Sequence, residues 1–221
     1  MTLTEAMNRR HSVRQYTGRP IEADALQALQ SEIDACNREG GLHIQLVTNE
    51  PKAFDCFMAH YGKFSGVTNY IALVGKRGKE LDEACGYYGQ RLVLKAQQLG
   101  LNTCWVALTY KKVPNAFTVD KGEKLAVVIA LGYGKTQGVS RSSKSPEQVS
   151  NLTETSPDWF KAGVAAALLA PTAVNQQRFY LRCEGDTVNA KAGTGFYTKM
   201  DLGIVKYHFE LGAKKENFQW K

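Results

Sequence analysis

The chain has 221 residues, 43% of them apolar and 22% charged, which is typical of a globular protein and excludes an intrinsically disordered one. No stretch approaches the roughly 20 apolar residues that a membrane span needs. Residues 1–14 lack the apolar run of a secretory signal. The five cysteines form no CxxC pair, so neither a disulfide framework nor a zinc ribbon is expected. We therefore expect a cytoplasmic protein with reduced thiols and no membrane partner.

The net charge is +7, and the basic residues are scattered except for clusters at residues 9–14 and 135–144. No amphipathic basic helix, zinc finger or aromatic RNA-binding motif accompanies them. We therefore expect no nucleic-acid partner. An anionic small molecule, such as a phosphorylated cofactor, explains the basic balance better.

Apolar periodicity and turn residues predict helices and strands that alternate along the chain. The predicted helices cover residues 3–11, 21–36, 51–60, 81–99, 159–169 and 202–215. The predicted strands cover residues 42–47, 70–74, 102–108, 125–131, 179–183 and 187–190, and residues 134–151 are predicted as a loop. Helices and strands that mix in this way, with long connections between strands, indicate an α+β fold in which a sheet is flanked by helices.

Two segments combine residue types that could bind a ligand. Residues 9–16 read RRHSVRQY, and their guanidinium groups and serine hydroxyl suit a phosphate or the polarised edge of a heterocycle. Residues 170–177 read APTAVNQQ, in which proline ends a helix before side-chain amides that both donate and accept hydrogen bonds. The alternative interpretations are a solvated basic helix end and an ordinary capped loop.

Other candidates are weaker. Cys104 lies beside Trp105, which favours a structural thiol over a reactive one. The run of glycines in residues 132–138 suggests a dinucleotide loop, but the following sequence is not helical. Arg141 or Lys144 beyond this run could still hold a phosphate.

The histidines offer no metal site at the level of the sequence. His43, His60 and His208 stand apart from one another without the spacing of metal ligands. We therefore predict no metal and expect these histidines to lie in the core or on the surface.

Together, these segments resemble the FMN-dependent nitroreductase family. Residues 9–16 resemble its N-terminal signature of a basic residue, serine, a basic residue and an aromatic residue, and residues 170–177 resemble its Ala-Pro-Ser-x-x-Asn-x-Gln signature. Residues 90–106 resemble its long central helix running into a Gly-Leu-Gly-x-x-Trp-like strand, and residues 63–76 fit its spacing from a flavin-contacting lysine to the end of the next strand. The resemblance implies a nitroreductase-like fold with a central, mostly antiparallel sheet flanked by helices.

The resemblance also implies an FMN site in which the flavin performs the chemistry and no side chain is itself catalytic. Arg10, His11 and Ser12 would hold the phosphate and ribityl chain of FMN. Arg14 would lie near N1 and the C2 carbonyl, where negative charge gathers when the flavin is reduced. The other implied contacts are Lys63 at the pyrimidine edge, the backbone of Val106 and Ala107 at N5, Arg141 at the phosphate, and Pro171, Thr172, Asn175 and Gln177 of the second signature.

By the same resemblance the protein would be an FMN-dependent NAD(P)H oxidoreductase working by a ping-pong cycle. NAD(P)H, as cosubstrate, would reduce FMN and be replaced by a small-molecule electron acceptor such as a nitroaromatic or a quinone. An open slot beside the flavin would serve both and would explain the lack of a Rossmann loop. The alternative is a non-catalytic flavin-binding or flavin-storage protein, with Phe160, Tyr197 or Trp220 filling that slot.

The order of the two signatures departs from the family pattern, because the second follows a complete first α+β unit. Placing Gly86 on Gly203 also aligns Leu94 with Leu211 in two helices of similar length. This echo suggests a partial internal duplication.

The predicted domains are residues 1–150, a nitroreductase-like half carrying the basic signature, and residues 151–221, a shorter second half carrying the Pro-Thr-x-x-Asn segment. The second half would be a degenerate copy of the first. A single chain would then imitate the family dimer, bind one FMN and be monomeric.

Overall fold

The computed structural model describes residues 1–221, which form two compact units. Unit 1 comprises Met1 with residues 9–81 and 92–140, and unit 2 comprises residues 2–8, 82–91 and 141–221. Each unit draws on three separate stretches of the chain, whereas the predicted domains meet at a single point between residues 150 and 151. Residues far apart in the sequence are therefore neighbours within each unit.

The chain forms seven α-helices and seven strands. The helices are α1 (Leu3–Arg9), α2 (Ala23–Gly40), α3 (Phe57–Tyr61), α4 (Leu81–Gln98), α5 (Pro146–Val149), α6 (Asp158–Leu168) and α7 (Thr198–Ala213). The strands are β1 (Gln45–Val47), β2 (Asn69–Lys76), β3 (Asn102–Val106), β4 (Glu123–Gly132), β5 (Phe179–Glu184), β6 (Thr187–Ala192) and β7 (Gln219–Trp220).

Unit 1 contains a four-stranded antiparallel sheet in the order β1-β2-β4-β3. The central strands β2 and β4 are its longest, and both contain runs of buried apolar residues that suit strands covered on two faces. An aromatic cluster of Phe54, Phe64 and Tyr70 joins the apolar core of this unit, with ring centroids 5.2 Å and 6.1 Å from that of Phe54. The sheet is thus a rigid support for the segments that pair with its edges.

Unit 2 contains a β5-β6 hairpin, with the short strand β7 parallel to β6. Helices approach closely here because glycines remove the side chain at the contact. A Cβ at Gly86 would lie 2.0 Å from the carbonyl oxygen of Met200, and a Cβ at Gly203 would lie 2.0 Å from that of Glu83. Gly163 similarly leaves room for the ring of Phe209, which a Cβ would approach to 2.5 Å. Larger residues at these positions would separate the helix backbones.

The α+β class and the nitroreductase-like fold are confirmed, but the strands form two sheets rather than one central sheet. The helix predicted from residue 51 begins only at Phe57, because Cys56 is extended (φ −151°, ψ 159°) and stops the turn that Pro51 opens. The loop predicted for residues 134–151 contains α5. Ser145 caps this helix in a reciprocal capping box with Gln148, and Pro146 occupies its first turn.

No helix of the structure combines the length and apolar character that crossing a membrane requires. All five cysteines are free thiols. Cys36, Cys85 and Cys104 are buried, and Cys56 and Cys183 are partly exposed.

Candidate functional site

Residues 10–16, called the basic segment below, lie as an extended strip between two other stretches of unit 1. On one side, the Val13 N–H donates to the carbonyl oxygen of Thr103 at 3.0 Å, which attaches the strip to β3. On the other side, the Tyr16 N–H donates to the carbonyl oxygen of Ser65 at 2.9 Å, just beyond α3. Backbone pairing of this kind fixes where each side chain of the basic segment can lie.

Buried residues recur at every third position of the basic segment, and exposed or half-buried residues lie between them. Val13 and Tyr16 are buried. The Tyr16 hydroxyl donates to the Val13 carbonyl oxygen at 2.8 Å within the strip and to the Ala130 carbonyl oxygen of β4 at 3.4 Å. Ser12 and Arg14 are exposed on the other side. Arg10 is buried. The fold therefore presents one hydroxyl and one guanidinium side by side at the surface of unit 1.

The electrostatics around Cys104 show how these groups converge. Burial raises the pKa of the Cys104 thiol, while the Arg14 guanidinium, a hydrogen bond with Ser12 and the charge of Arg10 act in the opposite direction. The thiol is therefore expected to stay protonated, consistent with a structural cysteine. The three polar side chains of the basic segment thus act on the same point of β3.

The other predicted contacts in unit 1 lie at the ends of the elements that flank the basic segment. Lys63 is exposed and left-handed (φ 62°), and its N–H donates to the His60 carbonyl oxygen at 2.8 Å where α3 ends. It lies two residues before Ser65, which pairs with the basic segment. Val106 is the buried last residue of β3, and Ala107 is half-buried beyond it. His11, in the basic segment itself, is also half-buried.

Two glycines, Gly66 and Gly138, allow other backbone to approach the basic segment, and neither was predicted to do so from the sequence. A Cβ at Gly66 would lie 2.3 Å from the Tyr16 carbonyl oxygen, and one at Gly138 would lie 2.6 Å from the Cβ of His11. Both are in the left-handed region, with φ of 68° and 76°. The glycine run that suggested a dinucleotide loop therefore packs against the basic segment, and no helix opens after it until α5.

Residues 170–177, called the amide loop below, follow α6 in unit 2. Val174, Asn175 and Gln177 all have left-handed backbones, with φ of 43°, 57° and 44°. Thr172 organises the loop, because its carbonyl oxygen accepts from the Asn175 N–H and its hydroxyl accepts from the Gln177 N–H, both at 3.0 Å. Three strained residues in so short a stretch are costly and persist only where neighbouring contacts hold them.

Arg141 supplies the first of these contacts. Its guanidinium donates to the Asn175 side-chain oxygen at 2.6 Å and to the carbonyl oxygens of Leu168 and Ala170 at 2.9 Å and 2.6 Å. A cation at the carboxyl end of α6 also interacts favourably with the helix dipole. The Asn175 amide nitrogen donates to the Ser142 carbonyl oxygen at 3.0 Å. Both ends of the Asn175 amide are therefore engaged within unit 2.

Gln177 is engaged in the same way. Its side-chain oxygen accepts from the Lys144 N–H at 2.8 Å, and its side-chain nitrogen donates to the Ser143 hydroxyl at 3.0 Å. The Lys144 ammonium donates to the Gln177 carbonyl oxygen at 2.8 Å. The amide loop is thus clamped to residues 141–144, and the two phosphate candidates of that stretch take part in the clamp.

Asp201 on α7 holds the amide loop through hydrogen bonds, and it was not among the residues predicted from the sequence. Its carboxylate accepts from the Ala173 N–H at 2.9 Å and from the Gln176 side chain at 2.8 Å. Burial raises the pKa of Asp201 to about 6, against the effect of those two hydrogen bonds. Asp201 is the only acidic residue in the first turn of α7, and this was the only sequence signal for its role.

The predicted contacts therefore fall into two groups. The residues of the first group share unit 1: Arg10, His11, Ser12, Arg14, Lys63, Val106 and Ala107. The residues of the second group share unit 2: Arg141, Pro171, Thr172, Asn175 and Gln177. Two of the bulky residues proposed to fill a slot are packed in unit 2, where the rings of Phe160 and Trp220 lie 5.9 Å and 5.3 Å from that of Phe209.

The fold is similar to that of solved nitroreductase structures. A structure described as a "putative nitroreductase" of Thermotoga maritima matches with a TM-score of 0.68 at 21% identity, over 98% of this chain and 85% of that chain. A second "putative nitroreductase", from Desulfovibrio desulfuricans and in complex with FMN, matches with a TM-score of 0.55 at 18% identity, over 71% of this chain and 99% of that chain. The NfrA1 nitroreductase of B. subtilis gives 0.54 at 12% identity, over 70% and 74%.

Among curated proteins, none matches the sequence significantly. A family model described as "Putative TM nitroreductase" matches residues 2–213. This match spans far more than half of the sequence and includes both the basic segment and the amide loop. The chain therefore belongs to this nitroreductase family.

Proposed function

We propose that the protein is an FMN-dependent oxidoreductase that takes a hydride from NAD(P)H and passes electrons to a small nitroaromatic, quinone or similar acceptor. The observation that carries the proposal is the basic segment, whose backbone is paired on both sides so that Ser12 and Arg14 lie on one exposed face. Family membership and the FMN complex of the Desulfovibrio desulfuricans structure support it further.

The donors of unit 1 fit FMN by their chemistry. Arginine forks and a hydroxyl bind phosphate and ribityl oxygens, and both are present in the basic segment. Arg14 and Lys63 are cationic and exposed, as a contact to the pyrimidine edge of a flavin requires. The side-chain amides of Asn175 and Gln177 fit less directly, because they already bond within unit 2. The proposal therefore rests on the donors of unit 1 and not on those amides.

Bound FMN would supply hydride and electron transfer, as the cofactor does in flavoenzymes generally. Arg10, His11 and Ser12 would bind and orient its phosphate and ribityl chain. Arg14 would place a positive charge where negative charge develops, and backbone pairing sets the point of the strip from which its side chain extends. Val106 and Ala107 would offer backbone rather than side chain, which leaves room for a flat cosubstrate.

The proposal includes a single chain that imitates a dimer and holds one flavin. Its support is a reciprocal contact between α4 and α7. Gly86 of α4 faces Met200, and Gly203 of α7 faces Glu83; a Cβ at either glycine would lie 2.0 Å from the carbonyl oxygen that it faces. Each glycine therefore meets the residue three positions before the other. A two-fold axis between related helices produces this reciprocity.

The test is the visible spectrum of the purified protein, followed by titration with NADH and NADPH without oxygen. The expected results are one FMN per chain, a monomer by light scattering, and bleaching of the flavin by a stoichiometric reductant. A coloured protein that neither nucleotide reduces would be a flavin carrier instead. A protein that takes up no FMN would overturn the proposal, and two flavins per chain would refute the single-site arrangement.

A further inference from the structure

Unit 1 holds a second constellation of ligand-type side chains, distant from the basic segment. His43 precedes β1, Asp120 lies in the turn before β4, and Glu123 is the first residue of β4. The ligand atoms of the three lie within 4.8 Å of one another. The sequence gives no sign of this cluster, because its members come from two stretches about 80 residues apart. The fold alone brings an imidazole and two carboxylates together.

We propose that His43, Asp120 and Glu123 form a binding site for a divalent transition-metal ion, with Zn²⁺ as its reference ligand. The distances between the three side chains suit a zinc ion. His43 Nδ1 lies 2.9 Å from Glu123 Oε2 and 3.9 Å from Asp120 Oδ2. Zinc bonds of about 2.0 to 2.2 Å in a tetrahedron place ligand atoms roughly 3.4 Å apart, which lies between these two values. The Asp120 side chain is 67% exposed and free to swing into position.

The surroundings support the site and select the class of metal. The Asp120 N–H donates to Glu123 Oε2 at 3.0 Å, which orients that carboxylate as supporting hydrogen bonds do in metal sites. Hard ions such as Ca²⁺ depend on many anionic oxygens, whereas an imidazole ligand favours zinc and its neighbours in the first transition series.

The site lies at the opposite end of β4 from the basic segment. Glu123 begins β4, whereas Thr103, which pairs with the basic segment, faces Leu131 near its other end. Eight residues of strand separate these two positions, or about 26 Å. A metal ion here would join the β1 edge of the sheet to the turn that enters β4. It would stabilise unit 1 without touching the proposed flavin residues.

Unit 1 also supplies a matched control. His60 Nε2 and Asp55 Oδ1 form an exposed pair 3.8 Å apart, close to the 3.9 Å between His43 and Asp120. This control pair belongs to no group of three ligand residues. Asp120→Asn and Asp55→Asn therefore remove the same charge from two similar pairs, only one of which is proposed to bind metal.

The experiment is a calorimetric titration of untagged protein, first dialysed against a chelator, with Zn²⁺ and then with Co²⁺. We expect one Zn²⁺ per chain and a rise in melting temperature. Asp120→Asn and His43→Ala should each weaken binding at least about tenfold, and Asp55→Asn should leave it unchanged. The Co²⁺ complex should show ligand-field bands without thiolate charge transfer, which excludes the partly exposed cysteines.

Three results would overturn the metal site: no stoichiometric binding by the unaltered chain, equal weakening by Asp55→Asn, or thiolate bands in the Co²⁺ spectrum. Because His43→Ala also removes the hydrogen bond to Glu123, Asp120→Asn keeps the proposal testable if His43→Ala fails to fold. FMN content is measured in every variant. It should not change, so the metal site and the flavin proposal can fail independently.

Discussion

The basic segment and the amide loop both looked like ligand-binding sequences, yet the structure uses their donors differently. In the basic segment, backbone groups form the hydrogen bonds, and the side chains of Ser12 and Arg14 are exposed. In the amide loop, the side chains of Asn175 and Gln177 themselves form hydrogen bonds within the chain. A motif therefore names the donors that a segment carries, and only the fold shows which of them a ligand could still use.

Arg141→Ala should have the largest effect, because it removes three hydrogen bonds that hold the amide loop and the end of α6. We expect the free energy of unfolding to fall by about 2 to 4 kcal/mol, since carbonyl oxygens are left unsatisfied. Denaturant titration measures this change. The control is Arg182→Ala, which breaks an exposed ion pair with Glu184 and should cost less than about 1 kcal/mol. Equal losses would mean that the clamp does not support the loop.

Asp201 should make the stability of the chain depend on pH. Its pKa is about 6 in the folded chain against 3.8 as the ordinary value, so between these pH values the folded chain holds a proton that the unfolded chain has lost. The free energy of unfolding should therefore fall as pH rises from about 4 to about 6, by about 2 to 3 kcal/mol. Below this window the full contribution is present, and above it the loss is complete.

The measurement for Asp201 is a series of denaturant titrations from about pH 2.8 to about pH 7, a range that covers about one unit beyond each pKa. Asp201→Asn is the reference, because it keeps the size of the side chain and removes its titration. The difference in the free energy of unfolding between the unaltered protein and Asp201→Asn should fall as pH rises through this range. Parallel pH profiles would show that Asp201 does not titrate in this range.

Arg14→Ala should weaken the binding or slow the reduction of FMN without changing the stability of the fold. The side chain is exposed, so we expect the free energy of unfolding to change by less than about 0.5 kcal/mol. The loss of a charged donor should raise the Kd for FMN about tenfold or more, or slow reduction of the flavin by NAD(P)H. Flavin fluorescence and stopped-flow absorbance follow the two quantities. Arg38→Ala removes an equal charge from α2 and should change neither. Unchanged flavin binding and reduction in Arg14→Ala would remove Arg14 from the site.

Val174→Gly should give the smallest effect, and it should be stabilising. Val174 is 80% exposed and has a φ of 43°, a conformation that a β-branched residue adopts at a cost and glycine adopts freely. We expect a gain of about 0.5 to 1 kcal/mol in thermal unfolding. Val139→Gly is the control, because Val139 is equally exposed but not left-handed, and it should lose stability. A loss in both variants would show that the loop is not strained.

Much of the fold could be predicted because its strongest signals are local. The buried runs of β2 and β4 and the periodicity of α2 and α4 located these elements within a few residues. Helix α5 was missed although Ser145 and Gln148 spell a capping box, because the surrounding serines and lysines indicated a loop. Strand β7 has two residues and no signal of its own, since only its pairing with β6 defines it.

The candidate site was predictable only in part, for a related reason. The residues that carry charge and hydroxyl groups in the basic segment are adjacent in sequence, so their common location followed from pattern alone. The role of Arg141 in clamping Asn175, the support from Asp201 and the grouping of His43 with Glu123 all depend on tertiary contacts. The spacing of apolar and polar residues along the sequence does not predict such contacts, because the partners are dozens of residues apart.

The interleaving of the two units has a consequence for how the protein is made. Unit 2 needs residues 2–8 and 82–91 together with β7, so it cannot be completed until residues 219–220 have been synthesised. Residues 2–8 and the first turns of α4 therefore lack their partners in unit 2 until residues 141–221 follow, and incomplete chains of this kind are prone to aggregate. Neither unit can be cut out as one continuous fragment. A truncation that removes residues 2–8 or β7 should accordingly leave unit 2 incomplete and lower the yield of folded protein.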